Sequence, residues 1–537
     1  MIDQDAPSRE SLCARLDTRA AWDAVIVGGG ATGLGIALEL AMRGLRVALL
    51  EREDFAKGTS SRATKLLHGG VRYLAQGNLA LVREALAERS TVIGNAPHLA
   101  QPLEFLIPLY GLCGRVRDRA FYGAGLHLYD FLAGRRNIGH ARFVGPAQVR
   151  EMSPGIKHEG LAGALAYWDG QFDDARLALA LARTAIAEGA CALNHFEVVA
   201  LLREGEQVRG VVAQDRESGR RHEIRARCVI NATGVWVDTL RRLDDTDSRS
   251  IVAPSQGVHL VVDREFHPGK RAILVPRTSD GRVLFIVPWM GKTILGTTDT
   301  PRADVPAEPA AFEDEIDFIL RETANRLARA PTRTDVRSIW VGLRPLVRPA
   351  GDDVASQRVS REHTVLVARS GLVSVTGGKW TTYRAMAHDV VEHCVSAGLI
   401  DPGRPADTAK RSLIGAPGGD ASGGAGVADA PGPHLYGADA AELDSLPGSN
   451  RAIAPGLSEA MVRFAVRREY ARSVEDVLAR RSRLLFLDAE AAAAVADDVA
   501  SVMASELEPG FSPEASATAF RALARGYRLT DRDGSRR

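Results

Sequence analysis

The run Val25-Ile26-Val27-Gly28-Gly29-Gly30-Ala31-Thr32-Gly33, answered by Glu51 at the end of the next apolar stretch, has the residue types and spacing for chemistry. It reads as strand, glycine turn, helix, strand and acid, the order in which a chain holds an adenine dinucleotide. Gly28 permits the tight turn, Gly30 lets the backbone approach a pyrophosphate, and Gly33 lets the helix pack closely on the strand. The amides opening the helix point at the phosphates, and Glu51 stands where the ribose-binding acid is expected. Taken alone, the pattern does not choose between dinucleotides.

Three further glycine turns bear on that choice: Ala232-Thr233-Gly234 after a strand, the pair Gly377-Gly378, and Gly69-Gly70. Each lets backbone come into contact with something flat or anionic. NAD needs mainly the first turn, whereas a long cofactor with a ring system to be walled in uses them all, which favours FAD. Between them lies the run from Thr59 to Leu74, where Thr59, Ser60, Ser61 and Thr64 supply hydroxyls and Arg62, Lys65 and Arg72 supply cations. Such a run can meet pyrophosphate and ring heteroatoms. The expected cofactor contacts are Gly28, Gly30, Gly33, Glu51, Thr59, Ser60, Ser61, Lys65, Leu67, His68, Gly69, Gly70, Ala232, Thr233, Gly234, Gly378, Lys379, Thr381 and Thr382.

The elements that must position these residues follow from periodicity. Residues 22–50 read as β–α–β, with helices over 79–92 and 173–188 and strands over 208–214 and 223–230. From 258 to 298 short apolar runs alternate with turns, the texture of an antiparallel sheet in a second domain. Strands return at 337–343 and 372–375, and a helix begins near Thr381. Residues 413–449, rich in Gly, Ala, Pro and Asp, read as a loose linker, and the chain beyond Pro455 is helical and charged. The expected fold is α/β. Residues 22–100, 150–250 and 337–400 form a discontinuous Rossmann-like dinucleotide domain. Residues 101–149 and 251–336 form a β-rich substrate domain, and 450–530 a C-terminal helical domain. The tail at 531–534 lacks the rest of a calcium loop.

At 537 residues the chain exceeds one ordinary core, and 45% hydrophobic with 25% charged residues is the balance of a soluble globular protein. A net charge of +1 gives no global field for nucleic acid or membrane, so an anionic substrate must be held by a local cluster. The five cysteines are scattered without a CxxC, which argues for reduced thiols and against a zinc site or any other metal centre. The acidic N-terminal decapeptide is unlike a signal peptide. The apolar run 24–42 contains Glu39 and several glycines, and reads as a buried strand–turn–helix, not a membrane span.

The blocks TSSRATKLLHGGVRYL, DGRVLFIVPW with GTTDT, GLRPLV, and GGKWTTYRAMAHD occur in one order across residues 22–400. In them the chain resembles the FAD-dependent glycerol-3-phosphate dehydrogenases of the D-amino-acid-oxidase-like superfamily. Ala63, where the family often has serine, and Val341, where a small polar residue is common, are departures. The resemblance implies oxidation of sn-glycerol 3-phosphate to dihydroxyacetone phosphate, with electrons passed from FAD to membrane quinone. A phosphate dianion suits arginine forks. The blocks offer Arg72, Arg344, Arg361 and Lys379 as a converging cationic set, with Tyr73 and Thr382 as supporting donors. His259 aligns with the family's active-site histidine and is expected to titrate near working pH as the general base. The expected catalytic set is His259, Arg344 and Lys379; His68 is expected to orient the flavin loop.

Residues 115–136 combine arginines at both ends with Phe121, Tyr122, Leu126, Tyr129 and Leu132 near helical spacing, a pattern that suits a lipid headgroup layer. The resemblance favours peripheral association with the inner face of the cytoplasmic membrane; a homodimer is compatible with the sequence, and no nucleic-acid partner is expected. Rival readings are an oxidase that gives electrons to oxygen and makes peroxide, a non-catalytic FAD-binding sensor, and an NAD-linked dehydrogenase.

Overall fold

The computed structural model describes residues 7–18, 21–70, 74, 78–111, 114–348, 363–418, 424–507 and 510–529. Strands buried on both faces dictate the first layer, although Arg221–Asn231 is so only over its last four residues and alternates between exposed and buried before them. Trp22–Val27, Val47–Leu50, Cys191–Leu193, Arg221–Asn231 and Leu372–Gly377 pair side by side in parallel. Near-continuous hydrophobic runs of this kind must be covered above and below by helices. Helices Ala31–Met42, Asp174–Ala187 and Tyr383–Ser396 provide cover. An antiparallel ribbon, Phe196–Glu204 with Gln207–Asp215, extends the Arg221–Asn231 strand.

The second sheet runs in the order Thr300–Pro301, Val252–Asp263, Lys292–Gly296, Leu284–Trp289, Ala272–Val275, Ala100–Tyr110, Leu161–Phe172 and Leu66–Leu67. Val336–Val347 pairs with Val252–Asp263, opposing Ser255 to Arg344 and His259 to Trp340. Here the structure moves a boundary. Residues 337–347, expected in the dinucleotide domain, belong to the second sheet, as do 161–172 and 66–67. Single-strand periodicity identifies a strand but not its sheet, because pairing is decided by partners remote in sequence.

The glycine-rich connection at 413–449 also differs from expectation. Among its described residues, Leu413, Val427, Leu435 and Tyr436 are buried. Met290 N–H donates to Val427 O at 2.9 Å and Ile414 N–H to Thr184 Oγ1 at 3.0 Å. It is a packed strap joining both sheets to the C-terminal helices; these anchors, with Leu443, outweigh its turn-rich composition. Helices Glu459–Glu469, Ala496–Ala504 and Pro513–Arg525 then pack with the tryptophan-rich side of the second sheet. No described helix is long and apolar enough to cross a membrane. The tail at 531–534 lies outside the described residues.

Candidate active site

The glycine turns converge because they follow adjacent parallel strands of one sheet. Gly28 follows Val27, Glu51 follows Leu50, Ala232 follows Asn231, and Gly377-Gly378 close the fourth strand. Ligands of open parallel sheets bind at these carboxyl ends. A cleft of about 410 Å³ opens there, lined by Gly28, Gly30, Glu51, Thr59, Ser60, His68, Ala232, Thr233, Gly234, Gly378, Lys379 and Thr381, and reaching His259 and Arg344.

At one end of the cleft, Gly28 has φ +109°, a conformation that costs a side chain dearly. A Cβ there would also lie 2.6 Å from Ala232 O. A Cβ on Gly33 would overlap the Gly28 carbonyl, so this glycine sets the helix against the strand without lining the cleft. Glu51 is oriented by two amides, Gly29 N–H to Oε2 at 2.7 Å and Glu53 N–H to Oε1 at 2.8 Å, and burial raises its proton affinity. Ser60 Oγ accepts Ala31 N–H at 2.9 Å, and Ser60 O accepts Trp380 Nε1–H at 2.7 Å. The loop of the first block is thus fastened to the opening of the first helix and to the fourth strand's exit.

At the other end, His259 is buried with its ring stacked on Trp340, centroids 5.2 Å apart and 16° from parallel. Its Nε2 lies 2.9 Å from Thr64 Oγ1. Burial first, then the Lys65 ammonium and the Arg344 guanidinium, hold the imidazole well below its usual range. This corrects the expectation of an unshifted histidine: the ring is neutral at working pH, ready to accept a proton, and a weaker base than a solvated one. Arg344 donates through Nη2 to Thr297 Oγ1 and Thr298 O, each at 3.0 Å, and through Nη1 to Asp299 Oδ1 at 3.3 Å. Gly257 has to be bare, since a Cβ there would clash with the Arg344 guanidinium and Thr297 Oγ1. Asp299 in turn accepts from the Ser255 hydroxyl. The result is a positively charged end beside a neutral imidazole, which suits an anionic substrate carrying an alcohol to be oxidised.

Several expected contacts are placed elsewhere. Ser61, Leu67, Gly69, Gly70 and Thr382 do not line the cleft. Ser61 is turned inward, and Gly69 N–H donates to Tyr129 Oη at 2.9 Å. Thr382 is buried in the turn that follows Lys379. Lys65 is fully buried and bonded to Asp174, since the segment's alternate residues face opposite sides. Arg72, Tyr73 and Arg361 lie outside the described residues. Sequence reasoning missed Thr64, Asp299 and Glu315 as individual contributors. The first two sit in quoted blocks; Glu315, which accepts from Thr298 Oγ1 at 2.8 Å and Thr300 Oγ1 at 2.6 Å, carries no local signal. The one potential metal-ligand grouping among the described residues, Asp54 with His195 and Asp476, has its carboxylates engaged by Arg480 and Arg481.

The chain matches the family model described as FAD dependent oxidoreductase over residues 23–384, and that for the C-terminal domain of alpha-glycerophosphate oxidase over 434–510. It is 39% identical to the mitochondrial glycerol-3-phosphate dehydrogenase of Bos taurus, covering 94% of this chain and 73% of that protein. With the mitochondrial enzyme of Arabidopsis thaliana it shares 39% identity, covering 90% and 82%. Among solved structures, the glycerol-3-phosphate dehydrogenase of Bacillus halodurans complexed with FAD superposes with a TM-score of 0.76 at 30% identity, covering 97% of each chain. The L-alpha-glycerophosphate oxidase of Mycoplasma pneumoniae, at 17% identity and a TM-score of 0.56, shares the fold. A cleft built at four parallel strand ends and these matches along nearly the whole length agree: the chain belongs to the glycerol-3-phosphate dehydrogenase family of FAD-dependent oxidoreductases.

Proposed function

We propose that this flavoprotein oxidises sn-glycerol 3-phosphate to dihydroxyacetone phosphate and delivers the electrons to a membrane quinone. The observation that carries the reading is the meeting, in one cleft, of the dinucleotide turns with a neutral buried imidazole and a guanidinium fixed by three oxygen partners. FAD, held by Gly28–Ala31, Glu51, Ser60 and the Thr233-Gly234 turn, supplies the hydride acceptor. Arg344 and Lys379 bind the phosphate dianion. His259, held by Thr64 and Trp340, takes the proton of the C2 hydroxyl at Nδ1 or Nε2 as the C2 hydrogen leaves. Arg344 lies close enough to resist charging of that imidazole before substrate binds; the phosphate's negative charge offsets this.

The surface supports the choice of a membrane acceptor. Helix Arg119–Ala133 exposes Phe121 at 65% and Phe131 at 80%, with Val116 at 73% just before it. Arg117 is solvated beside them, and Arg135 and Arg136 follow. Exposed aromatics flanked by arginines are the composition of a helix lying in the headgroup layer. Tyr129 on the buried face of the same helix accepts from Gly69 N–H, next in the chain to His68, which lines the cleft. In this reading the enzyme docks peripherally on the inner face of the cytoplasmic membrane. Quinone-analogue reduction by the substrate-reduced enzyme tests the acceptor; peroxide formation at a comparable rate would replace it with oxygen.

A further inference from the structure

Behind His259, away from the cleft, lies a charged cluster that the reaction as written does not use. Lys65 and Arg483 are both fully buried, as are Asp173 and Asp174. Lys65 Nζ donates to Ser61 O at 2.7 Å and to the Asp174 carboxylate at 2.8 and 3.0 Å. Arg483 enters from the C-terminal helices and donates to Ser61 O at 2.9 Å and Asp174 Oδ1 at 3.1 Å; its Nε lies 3.6 Å from Asp173 Oδ1. Asp174 also accepts Ala63 N–H at 3.1 Å. The Lys65 ammonium stands 5.3 Å from the ring centres of Trp289, Trp340 and Phe486.

This cluster reaches the imidazole twice. Asp174 and Arg483 bind the backbone at Ser61 and Ala63, which sets Thr64, and Thr64 Oγ1 meets His259 Nε2. Trp340, one wall of the ammonium cage, is also the ring on which His259 stacks. Two cations and two carboxylates balance in charge, but they are not equidistant from His259: the ammonium is the member that acts on the imidazole, and Arg344 is the other cation acting on it. The remaining charges are Asp299, beyond Arg344, and Asp173, Asp174 and Arg483, behind Lys65. The adjoining strand opposes His259 with Gly296, which brings no charge.

We propose that Lys65, locked by Asp174, which Arg483 of the C-terminal helices also binds, is a positioning residue whose buried charge keeps His259 deprotonated and whose loop keeps Thr64 on its Nε2. The C-terminal domain is thereby part of the proton-accepting apparatus without touching substrate. Burial, and then Arg483, bring the Lys65 ammonium down to about 7, so it carries its charge over the acid range in which His259 would take up a proton. The proposal rests on the reading of His259 as the base, and the test separates the two.

Lys65→Met removes the charge and Lys65→Arg restores it, each examined as FAD-loaded protein with flavin content and thermal midpoint recorded. Two readouts matter: the acid limb of kcat/KM for glycerol 3-phosphate, and the ring titration of His259 by NMR, assigned with His259→Gln. In Lys65→Met both move to higher pH together, and Lys65→Arg returns both toward the wild-type position. A loss of rate uniform across pH, with the ring titration unmoved, would overturn the proposal and reduce the cluster to a scaffold. If Lys65→Met does not fold, Lys65→Gln, which also removes the charge, carries the same two readouts. In the wild type His259 stays neutral through mildly acid pH under the proposal, and titration near the ordinary histidine value of about 6.5 contradicts it. Unchanged turnover in His259→Gln would remove the base reading while leaving the ring titration in Lys65→Met to decide the electrostatic one.

Discussion

The two ends of the cleft are built in opposite ways. At the dinucleotide end, Gly28, Gly30, Gly33 and Glu51 come from one β–α–β unit, and their geometry is backbone geometry: a left-handed turn, a helix N-terminus and an acid oriented by two amides. At the reacting end, His259, Arg344 and Lys379 come from three remote segments on two sheets, and their geometry is side-chain geometry. His259 and Arg344 are aimed by Thr64, Trp340, Thr297 and Asp299, and His259 is backed by a cluster that includes Arg483 of the C-terminal helices. A backbone site tolerates surface variation but not added atoms. A side-chain site tolerates added atoms behind it poorly and lost charges worse, because each buried ion depends on a partner.

That contrast sets the order of expected effects. Gly33→Val strikes the backbone end and has the largest effect, because its side chain must occupy the space of the Gly28 carbonyl. We expect purified protein without the flavin spectrum; a yellow, active variant would show that the helix can shift. His259→Gln strikes the reacting end and leaves FAD bound, with turnover reduced on the order of 10²–10⁴-fold, the usual weight of general base catalysis. Wild-type turnover would break the assignment. Arg344→Gln comes next, raising KM for the phosphorylated substrate by roughly 10-fold or more, the worth of a charge-assisted hydrogen bond. Its effect on glycerol is expected to be far smaller; equal effects on both would mean that Arg344 does not read phosphate.

The strap that joins the two halves gives a subtler test. His98 packs under its glycines 415 and 437, and burial first, then Arg176 and Arg183, push the imidazole down to about 3. The folded protein therefore holds a neutral ring where the unfolded chain binds a proton below about 6.5. The sign follows: this penalty is absent above that pH and grows as pH falls toward 3, by up to about 1.4 kcal/mol per pH unit. His98→Gln should flatten the acid side of the thermal-midpoint curve between those limits; an unchanged slope would place the acid sensitivity elsewhere. The smallest effect is at the surface. Phe131→Asp should weaken sedimentation with anionic vesicles at low salt and leave turnover with a soluble acceptor intact. Undiminished pelleting would move membrane docking off this helix.

The same contrast explains what was legible in the sequence. The dinucleotide end was readable because its determinants are local: the helix starting at Ala31, the strand ending at Leu50 and the glycines between them are fixed by neighbours in the chain. The reacting end became readable only through motif blocks, since nothing near His259 in sequence shows that Trp340 and Thr64 will hold it. Lys65 illustrates the limit. Its place among hydroxyls and glycines reads as a phosphate contact, yet alternate residues of that loop face opposite ways, and the partner that draws it inward, Asp174, is 109 residues downstream. The sheet assignment of Val336–Val347 and the packing of the strap were hidden for the same reason.

The central claim, that one cleft brings a bound flavin against an alcohol carrying a phosphate, is tested most directly by adding sn-glycerol 3-phosphate to the purified yellow protein without oxygen and following the flavin absorbance. The account predicts rapid, stoichiometric bleaching that glycerol does not produce at the same concentration and that His259→Gln slows. A flavin spectrum unchanged by glycerol 3-phosphate in fully FAD-loaded protein would contradict it.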